Sequence, residues 1–375
     1  FISALRTGHI YMDKKALCVD ALVAGSVQTF VDLFHLTHRE ASSLDGAADA
    51  EVPELEAVKA RLEEAELARR RRDMAAALRA YQVLASFFGA EVGDHRTAVY
   101  FWEKCAEAAG EADDASALMA AIRAQGVGHE ALGQYDSALS LYQKLQWLAA
   151  EASDAGQQAV AWSHLHVVNA TLATIAATNG DLHGALALRQ TCLRAAEAAG
   201  DAAVLASAHY ELGKAHEALG EEAHLLAAVA QYEPCLAIAT TRGDGVMQGK
   251  TCFALAQTHQ RLGAVERSEG YLERFLEVAQ SGELRAQAAA RCSLGVLLNA
   301  QGDFARAIPH LEAFFHLARS LDDRALLDQA RTFLGIAKGN AHLPAYATLA
   351  GSDLPGLLAW KNERPCPLGD CRDEY

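Results

Sequence analysis

The chain has 375 residues, about half of them hydrophobic, with seven prolines and a formal charge of −15 from 33 Lys plus Arg against 48 Asp plus Glu. That acidity argues against charge-driven binding of nucleic acid or of anionic lipid. No apolar run approaches the roughly 18 residues that a membrane span requires, so neither a membrane nor a nucleic acid is expected as a partner.

Residues 1–53 carry no repeat. Lys15 to Arg39 reads as helix, with Leu17, Cys18, Ala21 and Leu22 and then Phe30, Leu33 and Phe34 on apolar faces, and Gly25 as the expected break. Ser42 to Pro53 reads as a loop. From Glu54 the pattern becomes paired helices. Leu55, Val58, Leu62 and Ala65 mark one, and Ala77, Tyr81, Leu84 and Phe88 its partner across Arg69-Arg70-Arg71-Arg72. That basic run reads as a solvated helix end and turn, with docking to an acidic partner as the alternative. A further helix follows at Ala98, Trp102 and Cys105.

An elbow then recurs. Its fullest form is Gly302-Asp303-Phe304-Ala305-Arg306-Ala307, preceded by Ser293-Leu294-Gly295. Leu294, Leu298 and Ala300 are expected on one face of the first helix, and Ala307, Leu311, Phe314 and Phe315 on the second. Gly302 suits the left-handed residue that ends a helix, and Asp303 can cap the next. Related elbows stand at Gly133, Gly180, Gly220 and Gly263, so the spacings to Gly302 run 47, 40, 43 and 39. The elbow at Gly220 is read as carrying about three extra residues. A second echo closes each pair, as in Ala-Glu-Ala-Ala-Gly-Asp ending at Asp201 and Ala-Thr-Thr-Arg-Gly-Asp ending at Asp244.

No helix with a single apolar stripe buries it alone, so such pairs must stack. The Leu-Gly, then Gly-x-aromatic-x-x-Ala pattern resembles the tetratricopeptide repeat (TPR), lengthened beyond its usual period of about 34 residues. The expected fold is all-α: a right-handed superhelical solenoid of about six extended helix pairs over residues 54–338. Phe333-Leu334-Gly335 lies on the capping helix, and residues 339–375 form a non-repeat tail. Pro234 and Pro309 are expected to interrupt second helices, with a kink at Pro234.

Chemistry has little support. Gly245 to Thr251 nearly spells a phosphate-binding loop but has one residue too few between its glycines and no preceding strand, so it reads as an inter-repeat turn with Lys250 opening a helix. His35 with His38, His164 with His166, and Cys366 with Cys371 lack the companions of a metal site. Cysteines 18, 105, 192, 235, 252 and 292 fall on helical apolar faces, and a reducing compartment is expected. The opening at Phe1 suggests that native amino-terminal residues are missing. No nucleophile or acid–base pair stands in a recognisable setting, so no enzyme, cofactor, metal or small-molecule substrate is expected.

The inner surface of the solenoid is the candidate binding site. Around each small residue, side chains three before, one after and four after should face it. That rule selects Arg123, Tyr210, Lys214, Phe253, Gln257 and Asn299, with Glu217 and Gln260 beside them. Aromatics and amides suit an extended peptide or a partner helix. Positions that would carry the Asn of a chaperone-type carboxylate clamp hold Val127, Thr174, Lys214, Gln257 and Val296.

The lengthened repeats resemble those of cortical TPR adaptors of G-protein regulators, without their Asn two before the small residue. The ends carry a closer likeness. Cys18-Val19-Asp20-Ala21-Leu22 with Gly25, Phe30, Leu33, Phe34 and Leu36, and Leu357-Leu358-Ala359-Trp360-Lys361 with Glu363-Arg364, resemble the segments flanking the repeats in the tetratricopeptide repeat protein 29 family. The resemblance implies a cytoskeletal component of the ciliary or flagellar axoneme. There it would serve as a non-catalytic scaffold associated with an inner-arm dynein heavy chain and with a second TPR subunit bearing a MYND-type finger. It also marks the tail at Trp360 as a partner contact. A cytoplasmic peptide adaptor and an intraflagellar-transport protein are the alternatives.

Overall fold

The computed structural model describes residues 14–37, 55–280 and 283–363. Among them there is no strand, and consecutive helices pack on one another within each of two units. Two compact units divide between Asp201 and Ala202.

The first unit runs through α1 (residues 14–23), α2 (Val27–Thr37), α3 (Leu55–Arg70), α4 (Met74–Ser86) and a π-helical turn (Phe87–Val92). It continues with α5 (His95–Glu111), α6 (Ala115–Ala131), α7 (Tyr135–Glu151), α8 (Ala155–Thr178) and α9 (Leu182–Ala199). Gly25 separates α1 from α2 with φ of 80°, as its position suggested. Apolar stripes meet in a core where Tyr81, Phe88 and Phe101 stack, with ring centroids 6.5 and 5.6 Å apart along the series. Each fully buried aromatic of this kind contributes roughly 1.5–3 kcal/mol through burial. Farther along, Tyr142, Leu145 and Val168 are fully buried in a second cluster.

The second unit comprises α10 (Ala202–Leu219), α11 (Glu222–Arg242), α12 (Gly245–Arg261), α13 (Val265–Gln280), α14 (Leu284–Gln301), α15 (Phe304–Ser320), α16 (Arg324–Ser352) and α17 (Leu354–Glu363). Its core joins Tyr232, Leu255, Leu294 and Leu298, and then Leu311 and Leu334 beside α16. Ala300, expected on the same face as Leu294 and Leu298, is exposed, because it lies half a turn from Leu298 on the helix.

One joint recurs throughout. A residue in the left-handed conformation is followed by an Asp whose side chain accepts a hydrogen bond from the backbone N–H three residues on, satisfying a donor the helix leaves free. Asp73, Asp94, Asp114, Asp154, Asp181, Asp244 and Asp303 all act this way. Gly302 takes φ of 82° at one joint, whereas Arg72, Asp113, Ser153 and Asp322 take positive φ without being glycine.

Four sequence expectations change. Gly93 with Asp94 is a further elbow 40 residues before Gly133, so the repeat register reaches back to α4 with its π turn and α5, while α3 packs on α4 as expected. The elbow at Gly220 has ordinary length: α11 begins at Glu222, and the three extra residues lengthen α11 by about one turn. α11 and α15 run on through Pro234 and Pro309, because buried residues such as Tyr232, Cys235 and Leu236 hold the helix on both sides of the missing N–H. α16 likewise passes Gly339 and Pro344, so the boundary drawn between residues 338 and 339 lies within a helix. No helix among the described residues is long and apolar enough to cross a membrane.

Candidate partner-binding face

The faces of successive first helices are set by how closely each approaches its partner. A Cβ on Gly126 would sit 2.5 Å from Tyr142 Cε1, and one on Gly213 would sit 2.4 Å from Tyr232 Cε1. Gly295 stands equally close to Leu311. Glycine at these helical positions therefore lets a ring or a branched side chain of the second helix lie against bare backbone. With that contact fixed, the residues three before and four after the small residue flank the partner helix, and the residue one after it is exposed in Lys214 and Gln257.

In the second unit these residues gather. Tyr210 packs against Tyr232, with centroids 5.8 Å apart, and Lys214 reaches over the Tyr210 ring, its Nζ 5.8 Å from the centroid. Phe253 packs against Phe275 at 5.9 Å. Phe253, Gln257 and Gln260 of α12 then form one wall of a cleft of about 210 Å³, faced by Ser293 and Val296 of α14 and Phe333 of α16. Gln257 and Gln260 are exposed and offer amide donors and acceptors at its mouth. The Ser268 hydroxyl lines the same cleft, buried and without a hydrogen-bond partner among the described residues. A cleft with aromatic walls and an amide rim suits one apolar side chain of an extended segment, its backbone met by the amides.

Other selected residues are placed differently. Asn299 is half-buried and accepts a hydrogen bond at 3.3 Å from Asn340 of α16. Glu217 is committed internally. It accepts from the Tyr232 hydroxyl at 2.9 Å and from Thr258 Oγ1 at 3.3 Å, and pairs with Arg261 at 3.8 Å. Arg123 belongs to the first unit, exposed beside a similar node. There Glu130 accepts from the Tyr142 hydroxyl and stands 3.8 Å from His164, whose ring stacks on Tyr142 at 4.6 Å. Burial holds His164 below its ordinary value, opposed by the Glu130 charge and helped by Arg123. Trp360 falls on α17, and its side chain lies outside the described residues.

Phe333 and Ser293 were missed as cleft residues. Both stand two before a glycine in a Leu-Gly pair, a position that the three-before, one-after and four-after register does not select.

The remaining chemical candidates resolve plainly. Gly245 to Thr251 forms the first two turns of α12, capped by Asp244, so Lys250 lies inside the helix rather than at its start. The basic run is the end of α3 and an exposed turn, with Arg69 paired to Glu111 at 2.6 Å and to Glu107 at 3.5 Å. Burial pushes the Cys105 thiol up to about 12 and those of Cys192, Cys252 and Cys292 to about 11, so these side chains stay protonated at neutral pH. His38, Cys366 and Cys371 lie outside the described residues.

The chain is similar to tetratricopeptide repeat protein 29 of Trypanosoma brucei brucei, with 25% identity over 357 residues covering 92% of this chain and 73% of that protein. No family model matches the chain. Among solved structures, it is similar to a signal-transduction ATPase of the STAND class with a tetratricopeptide repeat sensor from Pyrococcus horikoshii. That likeness has 14% identity and a TM-score of 0.43, covering 88% of this chain and 51% of that one. It is also similar to BtubC from P. vanneervenii, at 19% identity and a TM-score of 0.37, covering 60% of this chain and 90% of that one. The described residues are all-α, and the chain resembles tetratricopeptide repeat protein 29 over most of its length.

Proposed function

We propose that this chain is a non-catalytic scaffold subunit of the ciliary or flagellar axoneme, associated with a single-headed inner-arm dynein and helping to dock its tail on the doublet microtubule. The observation that carries this reading is the likeness to tetratricopeptide repeat protein 29 across 92% of the chain, which extends past the repeats that many proteins share. The dynein heavy chain and a second TPR subunit with a MYND-type finger are the partners it implies. Stacked helix pairs with an amide-rimmed cleft on α12 and α14 give such a subunit a surface to be gripped, and the net charge of −15 makes protein-mediated contact with acidic tubulin the more favourable arrangement.

Fractionation tests this. The tagged chain should remain with detergent-extracted axonemes and leave with salt, together with a dynein heavy chain. Release by detergent alone sinks the axonemal reading and favours a cytoplasmic peptide adaptor, for which the same cleft is the specific support. A pool moving along the cilium would favour carriage by intraflagellar transport. Capture with Trp360→Ala that retains every partner removes the tail from the binding surface.

A further inference from the structure

Two histidines meet at the start of α11. His216, in the last turn of α10, and His224, near the start of α11, bring their Nδ1 atoms to 3.1 Å. Their rings are tilted by 32° with centroids 5.3 Å apart, and both side chains are half-buried, so solvent reaches them. His224 owes its place to the extra turn by which α11 is lengthened beyond Gly220.

A repeat in the other unit supplies the comparison. His129 stands four residues before Gly133, as His216 does before Gly220, and its Nδ1 meets Gln134 Oε1 at 2.7 Å. Imidazole against a carbonyl oxygen is one ordinary hydrogen bond, with the nitrogen donating its N–H to the oxygen. Imidazole against imidazole is different, because two nitrogens of soft, metal-binding character converge on one point and share a single proton. An ion held about 2.0–2.1 Å from each nitrogen sets them about 2.9 Å apart at a right angle and about 3.4 Å apart at the tetrahedral angle. The observed 3.1 Å falls between those limits. An ion can therefore take the place of the shared proton with adjustments of a few tenths of an ångström in two half-exposed side chains.

We propose that His216 and His224 form a two-histidine site for a divalent transition metal ion of the zinc, nickel or copper class, with water completing its coordination. Neutral imidazole suits these ions and disfavours calcium or magnesium. Among the described residues no three of His, Cys, Asp and Glu gather where one ion could touch them all, so the ion keeps open positions. The step balances without a co-reactant. The imidazole that donates its Nδ1 proton carries it instead on Nε2, and both Nδ1 lone pairs then face the ion. Bound there, the ion ties the end of α10 to the beginning of α11.

The test titrates the whole 375-residue chain, stripped with chelator, with Zn²⁺ in a calorimeter. One equivalent binding in the micromolar range is expected, with a rise in melting temperature as zinc is added. His224→Gln restores the amide partner seen at His129, so it should keep the fold while weakening zinc at least about tenfold, since one of two ligands is gone. His216→Gln should do the same. His129→Gln should leave the affinity unchanged, and so should a Cys366→Ser, Cys371→Ser chain. A folded double variant, His216→Gln with His224→Gln, that still binds zinc with unaltered affinity and stoichiometry overturns the proposal, as does a wild-type chain that takes up none.

Discussion

Gly126 and Gly213 face the rings of Tyr142 and Tyr232 in the same way, one in each unit, yet the two hydroxyls end in different company. In the first unit Glu130 accepts from Tyr142 and leans toward His164; in the second, Glu217 accepts from Tyr232 and also gathers Thr258 and Arg261. A buried hydroxyl needs an acceptor, and a carboxylate four residues after the glycine is placed to supply it. Where Leu311 takes the ring's place against Gly295, no hydroxyl needs satisfying, and the residue four on is Asn299, bonded to Asn340. The lesson is that the side chain of the second helix decides whether a position on the first is structural or free for a partner. Glu130 and Glu217 are the structural ones. Gln260, opposite an aliphatic Leu272, remains exposed at the cleft.

The sharpest way to break this comparison is to add one methyl group. Gly126→Ala and Gly213→Ala should each destabilise their unit by about 3 kcal/mol through overpacking against the ring, read by urea denaturation. Gly335→Ala is the control. Nothing lies within 4 Å of a Cβ there, so the change should be neutral or stabilising by up to about 1 kcal/mol from helix propensity. Equal effects at all three sites would refute the close-approach argument.

Removing the acceptor should come next in size. Glu130→Leu and Glu217→Leu should each cost about 1–3 kcal/mol by leaving a buried hydroxyl unpaired, the second more because it holds three groups. Adding Tyr142→Phe or Tyr232→Phe to the corresponding variant should recover part of the loss. No recovery would mean that the carboxylates matter for another reason.

Acid should expose a smaller effect. Burial lowers His164 in the first unit and His259 and His310 in the second below the ordinary 6.5. The unfolded chain then binds more protons than the folded one just below that pH, so stability is complete above about 6.5 and declines as pH falls through it, levelling once the folded groups protonate. Denaturation at pH 7.5 and 5.5 should show the decline, and His164→Gln should flatten it. An unchanged slope would remove His164 from the account.

At the small end, Asp322→Gly should stabilise by about 0.5–1 kcal/mol, since φ of 52° is strained for a residue with a Cβ. Gln257→Ala with Gln260→Ala should leave the melting curve within about 0.5 kcal/mol of wild type while weakening capture of the partner. Full retention of the partner would move binding off this cleft.

Much of this architecture was legible because it rests on period and on turn chemistry. Leu294, Leu298, Tyr81 and Cys105 fall inside as the 3.6-residue spacing requires, and Gly302 with Asp303 announced its own joint. What escaped was position that depends on a neighbour. Nothing local marks Glu217 as spoken for until Tyr232 is seen beneath it, and an insertion after Gly220 reads the same whether it lengthens a loop or a helix. Non-glycine residues in the left-handed conformation, such as Arg72 and Ser153, give no punctuation, while Gly93 gives it with His95 where the fullest elbow carries Phe304. The cleft was half visible: its α12 wall followed from the register, and its Phe333 and Ser293 wall comes from a position two before the glycine that the register passes over.

The two-residue joint between helices has a consequence for how such a molecule can change. Because the left-handed residue and its Asp close a turn using only atoms within five positions of them, the joint is indifferent to how long the adjoining rods are. A rod can be longer, as the 24 residues of α8 are beside the 17 of α7, without its hinges being redesigned. Modules of unequal length can thus be strung on identical fasteners, and the interval between successive docking positions along the chain becomes adjustable one turn at a time.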